Sequence, residues 1–402
     1  MKFSKLSQLF LVSAIGLLVA SLLTACQLVT IDYVFLATTA GVGTSANGSI
    51  ETFAVDSQSG ALRTGQPAID AGGIAPVAMV ASAKYTDLYV ANQGDSTVVH
   101  FAISSNGVLA KKDTVTLSAT PSALAENAAG TFLYVVSNSG TLTEFALSSS
   151  GTIGAVTQQE SLVVPGFTGD VILPSGVTVL PNNNAVYVSA YDQSAYNPGG
   201  STTSTANPGW VFGFAVGSDG TLTPSQGSPY LSGVKPSALA SDPTNRFIYV
   251  TDFASNELIG YSISSGSTLN FMVNGPFKTG NEPSAVAIDP RGIYIYVTNN
   301  LDSTVSGYEI TLSTGTPTAT VSSSGNAGNT TDTEPVALAI DPALGRFVYT
   351  ANYLGNTISG FQLTPTTGVL KLAQASPYPS GAKPTAIAIV PHGNHAIQSI
   401  TP

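Results

Sequence analysis

The hydrophobic positions of this chain fall into three kinds of short segment, repeated in a fixed order and separated by Gly-, Ser-, Thr- and Asn-rich stretches. The first kind opens with Pro and continues as an alternation of small and apolar residues. It occurs at Pro76-Val77-Ala78, Pro121-Ser122-Ala123, Pro174-Ser175-Gly176, Pro236-Ser237-Ala238, Pro283-Ser284-Ala285, Pro335-Val336-Ala337 and Pro384-Thr385-Ala386. The second is an apolar-aromatic-apolar triplet: Val34-Phe35-Leu36, Leu88-Tyr89-Val90, Leu133-Tyr134-Val135, Val186-Tyr187-Val188, Ile248-Tyr249-Val250, Ile295-Tyr296-Val297 and Val348-Tyr349-Thr350. The third carries one aromatic, at Phe53, Phe101, Phe145, Phe214, Tyr261, Tyr308 and Phe361. A Gly follows each of these: Gly60, Gly107, Gly151, Gly220, Gly266, Gly315 and Gly368. The Pro-led segments run from residue 76 to residue 384 with a mean period of about 51 residues, in the range of propeller blades.

Strands A, B and C, with a fourth strand D after the Gly turn, make each repeat a four-stranded antiparallel meander. Small residues in A suit an innermost strand, where the repeats converge on an axis. Aromatics in B and C suit the wedge between neighbours. Pro at the head of A costs no ladder donor, because the first strand position needs none. Gly in each C–D turn supplies a positive φ for a tight hairpin. The predicted fold is therefore all-β, a seven-bladed β-propeller of four-stranded blades. The N-terminal part supplies B, C and D before the first Pro, and the C-terminal part supplies the seventh A, so both chain ends share one composite closing blade. Residues 396–400 compete in principle for the B position of that blade.

The first 26 residues have a different pattern. Lys2 and Lys5 precede an apolar run from Leu9 to Leu23, which ends in Leu23-Thr24-Ala25-Cys26. This reads as a signal peptide closing on a bacterial lipobox, with Cys26, the only Cys, as the lipidated residue. The domain expectation is residues 1–26 as signal peptide and lipobox, and 27–402 as a single propeller. The expected localisation is the bacterial cell envelope, lipid-anchored and extracytoplasmic.

Composition narrows the function classes. Charged residues are 9% of 402, against about 25% in an ordinary soluble domain. The net charge of −10, with no Lys/Arg cluster beyond the first residues, excludes a basic nucleic-acid binder. One Cys excludes a disulfide scaffold.

Tyr296-Val297-Thr298-Asn299 is literally the YVTN signature, and the stretch from Pro283 through Ala287-Ile288-Asp289-Pro290 to Tyr308-Glu309-Ile310 resembles a repeat of the YVTN and lactonase-type seven-bladed propellers. The resemblance covers essentially the whole chain after the signal segment. It implies hydrolysis of a sugar lactone such as 6-phosphogluconolactone. Family members with that activity tend to carry Pro-Arg-His leading into an A strand. The matching segments here are Val234-Lys235-Pro236 and Asn281-Glu282-Pro283.

In such a meander the D–A and B–C connections share one face, around the channel mouth, and the A–B and C–D turns share the other. The residues before the A-strand prolines include Lys235, Glu282, Glu334 and Lys383 on four successive blades; the position three beyond the B aromatic holds Asp252, Asn299 and Asn352 on three of them. These seven are the candidate ligand-binding residues. The largest insertion, from Tyr191 to Trp210, reaches the same face and offers Tyr191, Tyr196 and Trp210 for stacking; a shorter excursion from Val163 to Leu173 brings Asp170. On the opposite face Arg246, Arg291 and Arg346 follow Asp-Pro turns and are expected to dock on their own turns. His392 and His395 sit three apart with no visible partner for a metal, and His100 is expected on a strand surface. No catalytic residue, cofactor or metal is assigned. The leading expectation is a monomeric envelope scaffold, anchored to the membrane through Cys26 and binding a protein, peptide or glycan through its channel face, with no nucleic-acid partner. The alternative is an extracytoplasmic lactonase-like hydrolase opening a sugar lactone or related ring ester.

Overall fold

Each Pro-led segment is an innermost strand of a four-stranded antiparallel sheet in the computed structural model, which describes residues 29–166, 171–194, 209–319 and 328–398. From strand A outward, blade 1 is Pro76–Ala81, Asp87–Asn92, Thr97–Ile103 and Leu109–Thr116; blade 2 is Pro121–Glu126, Phe132–Ser137, Thr141–Leu147 and Ile153–Ser161. Blade 3 has Ile172–Val179, Ala185–Asp192 and Gly209–Val216, blade 4 Pro236–Ser241, Phe247–Asp252 and Glu257–Ser264. Blade 5 has Pro283–Ile288, Tyr294–Asn299 and Thr304–Ile310, blade 6 Pro335–Ile340, Phe347–Asn352 and Thr357–Leu363. In blades 3 to 6 the outer edge is split into two short pieces that both pair with strand C. Blade 7 is composite: Pro384–Pro391 pairs with Thr30–Thr38, followed by Ser49–Asp56 and Leu62–Asp70. The seven-bladed architecture and its closure from both chain ends are thus as the repeats indicate. Thr30–Thr38 holds the B position, and Gly393–Ile397 forms a 3-10 turn instead of a competing strand.

The register slips by one residue just after the opening Pro in all seven A strands. Such a bulge re-aims one side chain. In three blades it turns a hydroxyl onto the next blade: Ser237 Oγ donates to the Pro283 carbonyl at 2.6 Å, Ser284 to Pro335 at 2.7 Å, and Thr385 to Pro76 at 2.7 Å. The small polar residue after Pro is therefore an inter-blade peg, which the alternation alone did not show.

The hydrophobic core is divided among seven wedges between blades. The wedge between blades 4 and 5 is typical, with Phe247, Tyr249, Leu258 and Met272 against Ile295, Val297, Tyr308 and Ile310. Two further contacts recur in several of the wedges. The B-strand Tyr reaches the next blade's C–D turn: Tyr89 Oη donates to the Gly151 carbonyl at 2.8 Å, Tyr249 to Gly315 at 2.6 Å, Tyr296 to Gly368 at 2.7 Å and Tyr349 to Gly60 at 2.7 Å. In the last three of these pairs the residue two before the Tyr is aromatic and lies beneath the same Gly; before Tyr89 it is Asp87. A Cβ on Gly315 would stand 2.4 Å from the Phe247 ring, and one on Gly368 would stand 2.5 Å from Tyr294. These glycines are fixed by a neighbour's ring as well as by their positive φ.

Candidate functional site

The D–A and B–C connections meet around one end of the channel, and the seven candidates divide there into two groups. Asp252, Asn299 and Asn352 are buried. Asp252 accepts the N–H groups of Val234 at 2.7 Å, Lys235 at 2.9 Å and Ala254 at 3.1 Å. Asn299 accepts the Gly280 N–H at 3.0 Å and donates to Thr304 and Ser306 at 2.9 and 2.8 Å. Asn352 donates to Thr357 and Ser359 at 3.0 and 2.9 Å. The side chains of these three hold the loops together, and their polar atoms are spent on that.

Lys235, Glu282, Glu334 and Lys383 stand at equivalent positions of blades 4 to 7, half-buried except for the exposed Lys383. Their backbones are clamped: the Phe253 N–H donates to the Lys235 carbonyl at 2.9 Å, Asn300 to Glu282 at 2.9 Å and Tyr353 to Glu334 at 2.7 Å. Glu282, Glu334 and Lys383 adopt φ of 54°, 56° and 54°, as does Ala75 at 53°, so the left-handed conformation belongs to the repeat and is not peculiar to the charged members. Neither Glu carboxylate takes a hydrogen bond from a described residue.

Sequence reasoning missed two mouth aromatics. The position four beyond the B aromatic is itself aromatic in blades 3, 4 and 6: Tyr191, Phe253 and Tyr353. Lys235 Nζ lies 4.3 Å from the Phe253 ring centre and 5.7 Å from that of Tyr191, and Lys383 Nζ lies 5.6 Å from that of Tyr353. These are cation–π distances. Burial lowers the Lys235 ammonium below its ordinary range, opposed by the Glu282 charge, which favours the protonated form. Trp210 is buried and opens strand C opposite Ala190, so it belongs to the core. Tyr196, Asp170 and Cys26 lie outside the described residues.

The opposite face is structural at the arginines. Arg246 contacts its own turn through Thr244 at 2.7 Å and also reaches the Leu312 carbonyl of the next blade at 2.7 Å. Arg291 binds Asp289 at 2.5 Å and the Pro365 carbonyl at 3.0 Å; Arg346 reaches the Ser57 carbonyl at 3.0 Å. For Arg246 and Arg291 the expected docking on the home turn is thus half of the contact, and each of the three arginines reaches the next blade.

The histidines depart from expectation. His100 is buried, not on a strand surface. Its Nδ1 lies 2.8 Å from Asp113 and its Nε2 2.8 Å from Asp87. His395 has partners that sequence could not show, because they come from distant repeats: its Nε2 lies 3.0 Å from Asp341 Oδ1 and 3.4 Å from Asp32 Oδ1. The hydrogen bond to Asp341 raises the His395 imidazolium above its ordinary range, and burial raises the Asp32 carboxyl. His392 packs against the edge of Tyr33 instead.

A family model described as "Lactonase, 7-bladed beta-propeller" matches residues 103–399. No curated protein matches the chain in sequence. Among solved structures, a Bacteroides fragilis protein provisionally assigned as a 6-phosphogluconolactonase superposes with a TM-score of 0.71 at 19% identity, covering 90% of this chain and 98% of its own. The periplasmic gluconolactonase of Pseudomonas aeruginosa gives 0.72 at 17% identity, covering 90% and 99%.

Proposed function

The chain belongs to the lactonase family of seven-bladed β-propellers, and from that premise we propose that it hydrolyses an uncharged or weakly charged lactone at its channel mouth. The observation that carries the reading is the pair Glu282 and Glu334. They are half-buried carboxylates on adjacent blades, held by clamped backbones and left without hydrogen bonds from described residues, while the neighbouring polar side chains are spent on structure. A carboxylate in that state can take a proton from water as the water oxygen attacks the lactone carbonyl. The ring C–O bond then breaks, the ring oxygen takes up a proton, and a hydroxy acid leaves. Lys235, whose ammonium interacts with the Glu282 charge, is the candidate in this reading for stabilising the oxyanion and supplying the proton to the ring oxygen. Tyr191, Phe253 and Tyr353 offer apolar faces to a sugar ring.

The substrate class follows from charge. A phosphorylated lactone calls for bidentate cationic donors. At the four D–A positions of this arc the only cations are Lys235 and Lys383, single ammonium groups on the non-adjacent blades 4 and 7. A neutral ring ester is therefore the better fit. The test is base uptake in a pH-stat with purified protein: turnover of gluconolactone lost in Glu282→Gln/Glu334→Gln supports the reading, and unchanged turnover in that variant sinks it.

We also propose that the protein acts outside the cytoplasm, anchored through Cys26. The support is the apolar run ending in Leu23-Thr24-Ala25-Cys26. Among the described residues no helix is long and apolar enough to cross a membrane. Cys26→Ser should move the protein from the membrane to the soluble fraction; retention in the membrane would exclude lipid anchoring at that residue.

A further inference from the structure

The composite blade is closed at its base by a cluster drawn from three distant segments. Asp32 lies near the start of the B strand of blade 7, Asp341 directly follows the A strand of blade 6, and His395 lies in the 3-10 turn after the last strand. All three are buried, and one ligating atom from each lies within 4.8 Å of the other two. Both carboxylates address the same imidazole nitrogen, Nε2. The other nitrogen, Nδ1, is 2.9 Å from Gln398 Oε1, which sets the ring orientation. Asp341 is oriented in turn by the N–H groups of Ala343 at 2.9 Å and Arg346 at 3.1 Å.

The Asp32 carboxylate is the informative part. It is fully buried, and neither of its oxygens has a hydrogen-bond donor. One N–H on Nε2 would serve Asp341 at 3.0 Å and leave Asp32, at 3.4 Å, unsatisfied. The His100 cluster shows the contrast: there each carboxylate has its own ring nitrogen at 2.8 Å. A cation centred among the three groups serves both carboxylates at once. Tetrahedral ligands at about 2.0–2.1 Å from zinc stand about 3.3 Å apart, which the two observed separations bracket. A ligating His fixed through its other nitrogen and a carboxylate fixed by backbone amides are what a metal site requires around it.

We propose that Asp32, Asp341 and His395 bind one divalent transition-metal ion, with zinc as the best match to this donor set, and that the ion clasps the two chain ends to blade 6. The site is at the base of the ring, away from the mouth, so the proposal is independent of the hydrolase reading.

The test uses metal-stripped full-length protein, untagged and in detergent. Zinc alone should bind with a stoichiometry of one by calorimetry and raise Tm, as a ligand confined to the folded state must. Cobalt(II) in its place should give the visible absorption of a low-symmetry N/O site. Asp32→Asn and His395→Ala should each weaken binding by at least about tenfold, and His392→Ala should leave it unchanged. The wild-type cobalt spectrum decides even where a variant fails to fold. Absence of cobalt absorption and of any zinc-dependent Tm rise, or a His395 ring protonated on both nitrogens in excess zinc, would overturn the proposal.

Discussion

Replacing Gly315 with Ala adds one methyl group at a point where the neighbouring blade has left no space. The residue has φ +75°, and its Cβ would stand 2.4 and 2.6 Å from the Phe247 ring and 2.5 Å from Met272 Cε. Phe247 and Met272 are themselves buried in the wedge between blades 4 and 5, so neither can swing aside. Blade 4 supplies the control. Gly266 occupies the same C–D turn with φ +73°, but nothing lies within 4 Å of its Cβ position, because blade 3 carries Ala185 where blade 4 carries Phe247. Gly266→Ala should therefore cost only the left-handed backbone term, about 1–2 kcal/mol. Gly315→Ala should add an overpacking term of about 1–3 kcal/mol. Urea unfolding followed by tryptophan fluorescence and circular dichroism would give both values, compared only if the two m-values agree. Equal destabilisation by the two substitutions would refute the packing argument and reduce the repeated Gly to a turn requirement.

Two smaller perturbations test other joints. Tyr349→Phe removes the hydroxyl that donates to the Gly60 carbonyl at 2.7 Å across the ring closure, and should cost about 1–2 kcal/mol by the same unfolding assay; no loss would mean that the closure does not depend on this bond. Glu126 accepts the Ala83 N–H at 2.7 Å, and burial pushes its carboxyl up to about 7. Its proton is thus held more tightly in the folded state. The associated stability is complete below about pH 4.5 and is lost as pH rises through about 7. Glu126→Gln should raise Tm more at pH 8 than at pH 4.5; an equal change at both would contradict the assignment.

The fold was legible because the repeat states it many times. Each Pro-led, YV-type and single-aromatic segment took its strand position, and the N- and C-terminal remainders added up to the missing blade. The mouth was half legible. Lys235, Glu282, Glu334 and Lys383 share a repeat position and an environment. Asp252, Asn299 and Asn352 share another repeat position, but it points into the loops, and sequence spacing cannot separate a side chain facing the channel from one capping the neighbouring turn. Phe253 and Tyr353 were recoverable from spacing, four residues beyond the B aromatic. The base cluster was not. Asp32 and His395 are brought together only by ring closure, and Asp341 reads locally as an ordinary Asp-Pro turn residue. Contacts made by closing a ring join residues with no shared period, so a periodic reading passes over them.

The proposed reaction is the opening of a neutral lactone with the carboxylates of blades 5 and 6. It is tested most directly by the initial rate of gluconolactone hydrolysis, corrected for the spontaneous reaction, for the native protein and for Glu282→Gln/Glu334→Gln. The expected result is saturable turnover by the native protein that falls by at least about 100-fold in the variant, with 6-phosphogluconolactone the poorer substrate. Turnover that survives the double substitution, or none in the native protein across neutral and phosphorylated lactones, would contradict it.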